Sequence, residues 1–252
     1  MEWCESNGVR WLRAELDGAG AAFSTRLGGV SEPPFDSLNL GLLTDDAAEA
    51  VAENRRRLAT ALGIDPKQVV FARQVHGTRL IEHSKPPSSP FVRPGMTKGE
   101  LGRVAEADGQ VLREPGIGAL VFTADCLPVA VAGPKGMAML HAGWRGLAGG
   151  ILGAGAEAVE ATSATIGPGI GPCCYEVGEE VLESFSDLDE GVADGRMLDL
   201  PEVARRLLVR AGVERVESAG LCTSCEEELF FSHRRDQGRT GRQAGVGWVE
   251  AR

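Results

Sequence analysis

Ala119-Leu-Val-Phe-Thr-Ala-Asp-Cys-Leu-Pro-Val-Ala-Val-Ala-Gly-Pro-Lys-Gly-Met-Ala-Met-Leu-His-Ala-Gly-Trp-Arg-Gly146 decides the fold. Its apolar runs, 119–123, 128–132 and 137–140, have strand length, and each is continuous rather than alternating, the pattern of strands covered on both faces. The breaks between them carry chemistry: Ala124-Asp125-Cys126-Leu127 interrupts the first pair, and the third run leads directly into His141. A helix rich in small residues follows at about 145–162, where Gly149, Gly150, Gly153 and Gly155 permit close packing on a sheet at some cost in helix stability.

Outward from this segment, residues 9–25 read as strand material, and Val69-Val-Phe71 and Leu80-Ile81 as strands flanking Gln74-Val-His-Gly77. A helix is expected at about 45–62, capped by Thr44 or Asp45 and stopped by Gly63, and another at 201–211, opened by Pro201 and Glu202. Strands are expected at 216–221, 229–231 and 246–249. The Pro/Ser/Gly-rich insertion around 84–99 reads as a mobile surface loop. Nothing repeats at a fixed period and no composition break marks a linker. The expectation is one α/β (α+β) domain over 1–252, a mixed β-sheet flanked by helices.

Composition narrows the function. With 36 acidic against 26 basic side chains the formal charge is −10, which opposes docking on phosphate backbones, so no nucleic-acid partner is expected. No apolar stretch approaches the roughly 20 residues that cross a bilayer, and the first residues lack a secretory pattern. A cytoplasmic monomer is the expectation. The aromatic content is 8 Phe, 4 Trp and 1 Tyr against 34 Gly, so the core must be aliphatic and the backbone closely turned.

Four histidines occur, and two, His76 and His141, stand at strand ends, where α/β sheets present their chemistry. With Cys126 they make a three-ligand set suited to Zn²⁺, whose fourth position stays open and which supplies hydroxide or a Lewis acid at neutral pH. Spacing alone leaves each residue open to a structural role. Cys126 beside His141 also fits a metal-free thiolate–imidazole nucleophile. Asp125 and Asp108 suit orientation of the imidazoles or proton transfer. The pair Cys222 and Cys225 has zinc-knuckle spacing but lacks a second such pair, and with Cys173 and Cys174 it is read as packed, inert thiol. Gly167-Pro-Gly-Ile-Gly-Pro172 departs from the phosphate-binding patterns, and its prolines remove amide donors, so a rigid turn is expected. Arg26, Arg55, Arg145, Arg234 and Arg235 are the anion-clamp candidates.

Taken together, Thr25-Arg-Leu-Gly-Gly-Val-Ser31, Ser37-Leu-Asn-Leu-Gly41, Asn54-Arg-Arg56, Gln74-Val-His-Gly77, Ala107-Asp-Gly109, Thr123-Ala-Asp-Cys-Leu-Pro128, His141-Ala-Gly-Trp-Arg-Gly146, Gly167 to Val177 and Phe230-Phe-Ser-His-Arg-Arg235 resemble the laccase-domain family. Its members were first described as polyphenol oxidoreductases and later as purine nucleoside phosphorylases with adenosine deaminase activity. The resemblance covers about residues 20–249. It implies a core similar to the cysteine deamidase domain of cytotoxic necrotizing factor, and zinc held by His76, Cys126 and His141. The implied partners are adenosine and inosine with phosphate, Arg55 contacting phosphate or ribose, and Asn39 and Gln74 contacting substrate. The 84–99 insertion and His233, where Tyr is more usual, depart from the pattern. Three rivals stand beside this reading. One is a Cys126–His141 amide hydrolase in peptidoglycan precursor editing. Another is a copper polyphenol oxidase, ranked below zinc because four histidines are thin for a multicopper centre. The third is a purine-binding regulator without turnover.

Overall fold

The computed structural model describes residues 1–84, 104–188 and 190–251. The first sheet is built from β1 (Glu2–Ser6), β2 (Val9–Leu16), β3 (Ala19–Ser24), β4 (Val69–Val70), β7 (Gly118–Thr123) and β14 (Gln243–Val249). Its order is β1-β2-β3-β14-β7-β4, antiparallel except for the β4/β7 pair. The second contains β5 (Leu80–His83), β6 (Gly109–Leu112), β8 (Leu127–Gly133), β9 (Gly136–Ala142), β10 (Ser163–Ile166) and β13 (Arg215–Ser218). Its order is β13-β10-β8-β9-β6-β5, with parallel pairs at both edges. A two-residue ribbon, β11 (Ala193–Asp194) with β12 (Met197–Leu198), stands apart.

The expected α/β fold of mixed strands flanked by helices is present, with the strands divided between two stacked sheets rather than one. Strand alternation shows how they divide the core. On β8, Ala130 and Ala132 face the inter-sheet cluster while Val129 and Val131 face the helices; on β9, Met137 and Met139 point inward while Ala138, Leu140 and Ala142 point out. Helices α2 (Trp144–Ala148), α3 (Ile151–Val159), α4 (Glu179–Glu183) and α5 (Leu200–Arg210) supply residues to the outer cluster of the second sheet. Helix α1 (Ala48–Ala61) covers the outer face of the first through Leu58. The uniformly apolar runs of 119–140 are thus explained, since both faces of these strands are buried.

Some local expectations change. The helix expected over 145–162 is two helices, because Gly150 adopts a left-handed φ of 91° between them. Helix α1 starts at Ala48, and Thr44 does not cap it: its hydroxyl donates to Gly41 O (2.8 Å) and accepts from Asn39 Nδ2 (2.9 Å). Residues 229–231 form no strand: Leu229 closes a turn, and Phe230 and Phe231 follow it as irregular but fully buried backbone. Helix α5 begins as expected, with the Asp199 side chain accepting from Glu202 N (3.0 Å). Strand β1 was not anticipated; it is a largely exposed edge with little apolar signal. The proposed loop around 84–99 lies, from residue 85 on, outside the described residues.

The sheets approach closely because β14 is small where they meet. A Cβ on Gly245 would lie 2.3 Å from Met139 Cε and 2.7 Å from Pro128 Cβ. Gly153 in α3 has open space around it. Gly245→Ala should therefore destabilise the chain by about 1–3 kcal/mol through overpacking, whereas Gly153→Ala should stabilise it by about 0.5–1 kcal/mol, both read from urea unfolding midpoints. Equal shifts in the two variants would contradict this packing.

Candidate active site

The second-sheet hairpin places two of the three expected ligands. Pro128 pairs with His141 and Leu127 with Ala142, so Cys126, one residue before β8, lies at the same end as His141 on β9. His76 arrives from the β4–β5 connection. Its φ is 60°, and Asp125 next to Cys126 has φ 88°, left-handed conformations unusual for residues with a Cβ. The ligand atoms of His76, Cys126 and His141 lie within 4.8 Å of one another, and the two rings meet edge to face at 4.9 Å. Gly143 makes room for them: a Cβ there would stand 3.0 Å from Cys126 Sγ and 3.3 Å from His76 Cδ2.

Asp108, fully buried, organises this end. Its carboxylate accepts from the backbone N–H groups of Val75 (3.1 Å), His76 (3.0 Å) and Gly77 (2.8 Å), and from His141 Nδ1 (2.8 Å). Burial raises the pKa of this carboxyl, but the His141 and backbone hydrogen bonds outweigh it and the net shift is downward. The bond at Nδ1 leaves His141 Nε2 as the ligating nitrogen, the arrangement in which a carboxylate fixes the tautomer of a metal-bound imidazole. Burial likewise resists ionisation of Cys126, yet His141, with hydrogen bonds from both imidazoles, brings its thiol down to about 6. His141 in turn is pushed down by burial and pulled up further by Cys126 and Asp108, to about 9. A two-imidazole, one-thiolate set held ready in this way fits Zn²⁺ with an open position.

These groups face a cleft of about 450 Å³, within the range of small-molecule sites. Its walls include the aromatic faces of Phe71, Phe122, Trp144 and Tyr175 and the side chains of Arg55, Arg145, Arg234 and Arg242. Arg55 is buried between Phe71 and Phe122, its guanidinium carbon 5.2 and 5.0 Å from their ring centres, with Nε donating to Leu40 O (2.9 Å). Burial lowers its pKa to about 9, which leaves it charged at neutral pH. Arg145 is exposed and stacks on Trp144 at 4.3 Å. Arg26 and Arg235 lie outside the cleft wall, held by backbone carbonyls and by Asp36 and Asp236.

Other expected contacts are placed differently. Asn39 is fully buried and does not line the cleft; its oxygen accepts from Gly41 N (3.0 Å) and Arg242 N (2.9 Å), so it acts one step back, on two residues that do. Gln74 lines the cleft, but its carboxamide is engaged with the backbone of Phe122 in both directions at 2.7 Å. Asp125, expected near the proton transfer, turns its carboxylate to Thr223 Oγ1 (2.7 Å) and Arg234 N (2.7 Å), which makes it a brace for the Cys126 turn. The Gly-Pro turn expected beside the site is there: Ile170 lines the cleft, and Ile170 N donates to Asp125 O (2.8 Å). His233 lies exposed at the rim. Arg242, Tyr175, Phe71 and Trp144 also line the cleft; no local signal assigns them to it, and only the fold gathers them.

Residues 20–250 match the family described as multi-copper polyphenol oxidoreductase laccase. This chain belongs to that family. Among relatives of this laccase family, the purine nucleoside phosphorylase YfiH of Escherichia coli K12 is 39% identical over 245 residues, covering 92% of this chain and 94% of its own. The purine nucleoside phosphorylase YlmD of Geobacillus stearothermophilus is 38% identical over 264 residues, covering 92% of each chain. The crystal structure of that YlmD superposes with a TM-score of 0.87 at 35% identity over 98% of both chains. The Bacillus licheniformis YfiH structure gives 0.85 at 33%, over 98% of this chain and 99% of its own. No helix among the described residues is long and apolar enough to cross a membrane.

Asp108→Asn should weaken zinc affinity by about 10–100-fold, measured by competition with a chelator. Unchanged affinity would show that the carboxylate does not set the His141 ligand.

Proposed function

We propose that this chain is a purine nucleoside phosphorylase that takes adenosine and inosine with phosphate, and that it also deaminates adenosine hydrolytically. The observation that carries this reading is the convergence of His76, Cys126 and His141 on a cleft that also presents aromatic faces and several arginines. The phosphorylase names of relatives that align over nearly the whole chain support it. Zinc is the metal proposed for the three ligands; it supplies a Lewis acid and activates water at neutral pH.

The chain's own groups bind and orient. A purine fits between the apolar and aromatic walls formed by Phe71, Phe122 and Tyr175, where stacking suits every purine face. Thr123 backs the cleft wall almost without exposure, and its buried Oγ1 has no hydrogen-bond partner among the described residues. Phosphate is assigned to Arg145, with Arg55 and Arg242 deeper in the cleft supplying positive potential. In phosphorolysis a phosphate oxygen bonds the anomeric carbon as the glycosidic carbon–nitrogen bond breaks. The electron pair leaves with the base, which takes the proton that phosphate gives up. Positioning and charge stabilisation supply the acceleration, without a covalent enzyme intermediate.

Incubation of purified protein with inosine should yield hypoxanthine and ribose 1-phosphate when phosphate is present. Equal hypoxanthine formation with and without phosphate would remove phosphorolysis, and absence of inosine from phosphate-free adenosine reactions would remove deamination. Arg145→Gln should raise the KM for phosphate about tenfold, as loss of one charge-assisted contact worth about 1.4 kcal/mol requires.

A second reading rests on the Cys126–His141–Asp108 alignment, which also fits a thiol hydrolase of amides. Zinc protection of Cys126 against alkylation favours the ligand role; a substrate-derived adduct on Cys126, found by mass spectrometry, favours the nucleophile.

A further inference from the structure

Away from the cleft's three ligands, the fold gathers four of the remaining cysteines. Cys173 and Cys174 sit on the turn that follows the Gly-Pro segment, Cys222 and Cys225 on a turn after β13, and all four sulfurs lie within 4.8 Å of one another. Cys225 Sγ is 3.3 Å from Cys173 Sγ and 3.4 Å from Cys174 Sγ. All four are free thiols; Cys174 and Cys222 pack against the outer core cluster as expected, whereas Cys173 and Cys225 are exposed rather than packed.

The two turns are built alike and tied together. Cys174 N and Tyr175 N both donate to Gly171 O at 3.1 Å, and Cys225 N and Glu226 N donate to Cys222 O at 3.2 and 3.0 Å. Between them, Gly169 N donates to Leu221 O (3.3 Å), Thr223 N to Gly169 O (3.0 Å) and Gly171 N to Cys222 Sγ (3.3 Å). The sulfurs are thus brought together by backbone that is already hydrogen-bonded. A tetrahedral ion with Zn–S bonds of about 2.3 Å sets its sulfurs about 3.8 Å apart, a few tenths of an ångström above the two short separations and inside the 4.8 Å that bounds them all. A disulfide would use two of these sulfurs and leave two, whereas one soft divalent cation uses all four.

We propose that Cys173, Cys174, Cys222 and Cys225 form a second metal site, a closed structural tetrathiolate for Zn²⁺, independent of the three ligands in the cleft. On binding, four sulfur–zinc bonds form and each ligating thiol gives its proton to solvent. The site clips the turn bearing Ile170 and Tyr175, which line the cleft, to the turn bearing Thr223, whose hydroxyl holds Asp125 beside Cys126. Its effect on the reaction is through the shape of that wall.

The test uses Cys126→Ser protein, which removes a ligand from the cleft, purified anaerobically under reducing conditions. Plasma mass spectrometry should find about one equivalent of zinc per chain, and exchange for Co²⁺ should give intense sulfur-to-cobalt charge-transfer absorption with the visible bands of a tetrahedral ion. Adding Cys173→Ser and Cys225→Ser should abolish both signals and lower the Tm. If that variant does not fold, the cobalt spectrum of the Cys126→Ser chain decides alone. Zinc at buffer background with no cobalt bands in that chain, or bands that survive the loss of Cys173 and Cys225, would overturn the proposal.

Discussion

The carboxylate of Asp108 is the constraint on which the site depends. It is removed from solvent yet stays ionised, because four donors converge on it, three from the backbone of 75–77 and one from His141. That convergence holds His76 in a left-handed conformation that would otherwise be strained, and it fixes which nitrogen of His141 faces the cleft. A peptide segment from the first sheet's side and a strand of the second are thereby locked to one anchor. Without such compensation, a buried charge of this kind would be costly.

Around that anchor the fold supplies rigidity rather than chemistry. Small residues on the facing strands let the sheets approach, and the β8–β9 hairpin carries Cys126 and His141 into register. Asn39, Gln74 and Asp125 hold backbone: Asn39 the residues around Gly41 and Arg242, Gln74 the strand end at Phe122, Asp125 the Arg234 and Thr223 segments. With the polar groups of these three engaged inside the protein, the cleft wall presents aromatic faces and arginine side chains.

The sequence made the central hairpin legible because continuous apolar runs have few alternatives, and it marked His76, Cys126 and His141, which the fold groups together, as strand-end residues whose role spacing alone left open. What escaped reading was non-local. Two sheets look like one along the chain, since alternation marks a strand's two faces without saying what covers each. The break at Gly150 needs a positive φ that glycine permits but does not announce. Phe230 and Phe231 are apolar, yet the segment's partner is the Gln243 side chain rather than a strand, with Phe231 N donating to Gln243 Oε1 at 2.9 Å. Cys222 and Cys225 do have a second pair, but it lies far back in the chain and is brought near by the Gly169–Cys222 bridge.

Whether His76, Cys126 and His141, oriented by Asp108, surround one ion that faces the cleft is a question of geometry. Crystals grown with zinc and measured across the zinc absorption edge test it directly. An anomalous peak is expected at about 2.0–2.3 Å from nitrogens of His76 and His141 and from Cys126 Sγ. A fully occupied lattice with no peak there, or one whose ion leaves Cys126 uncoordinated, would contradict it.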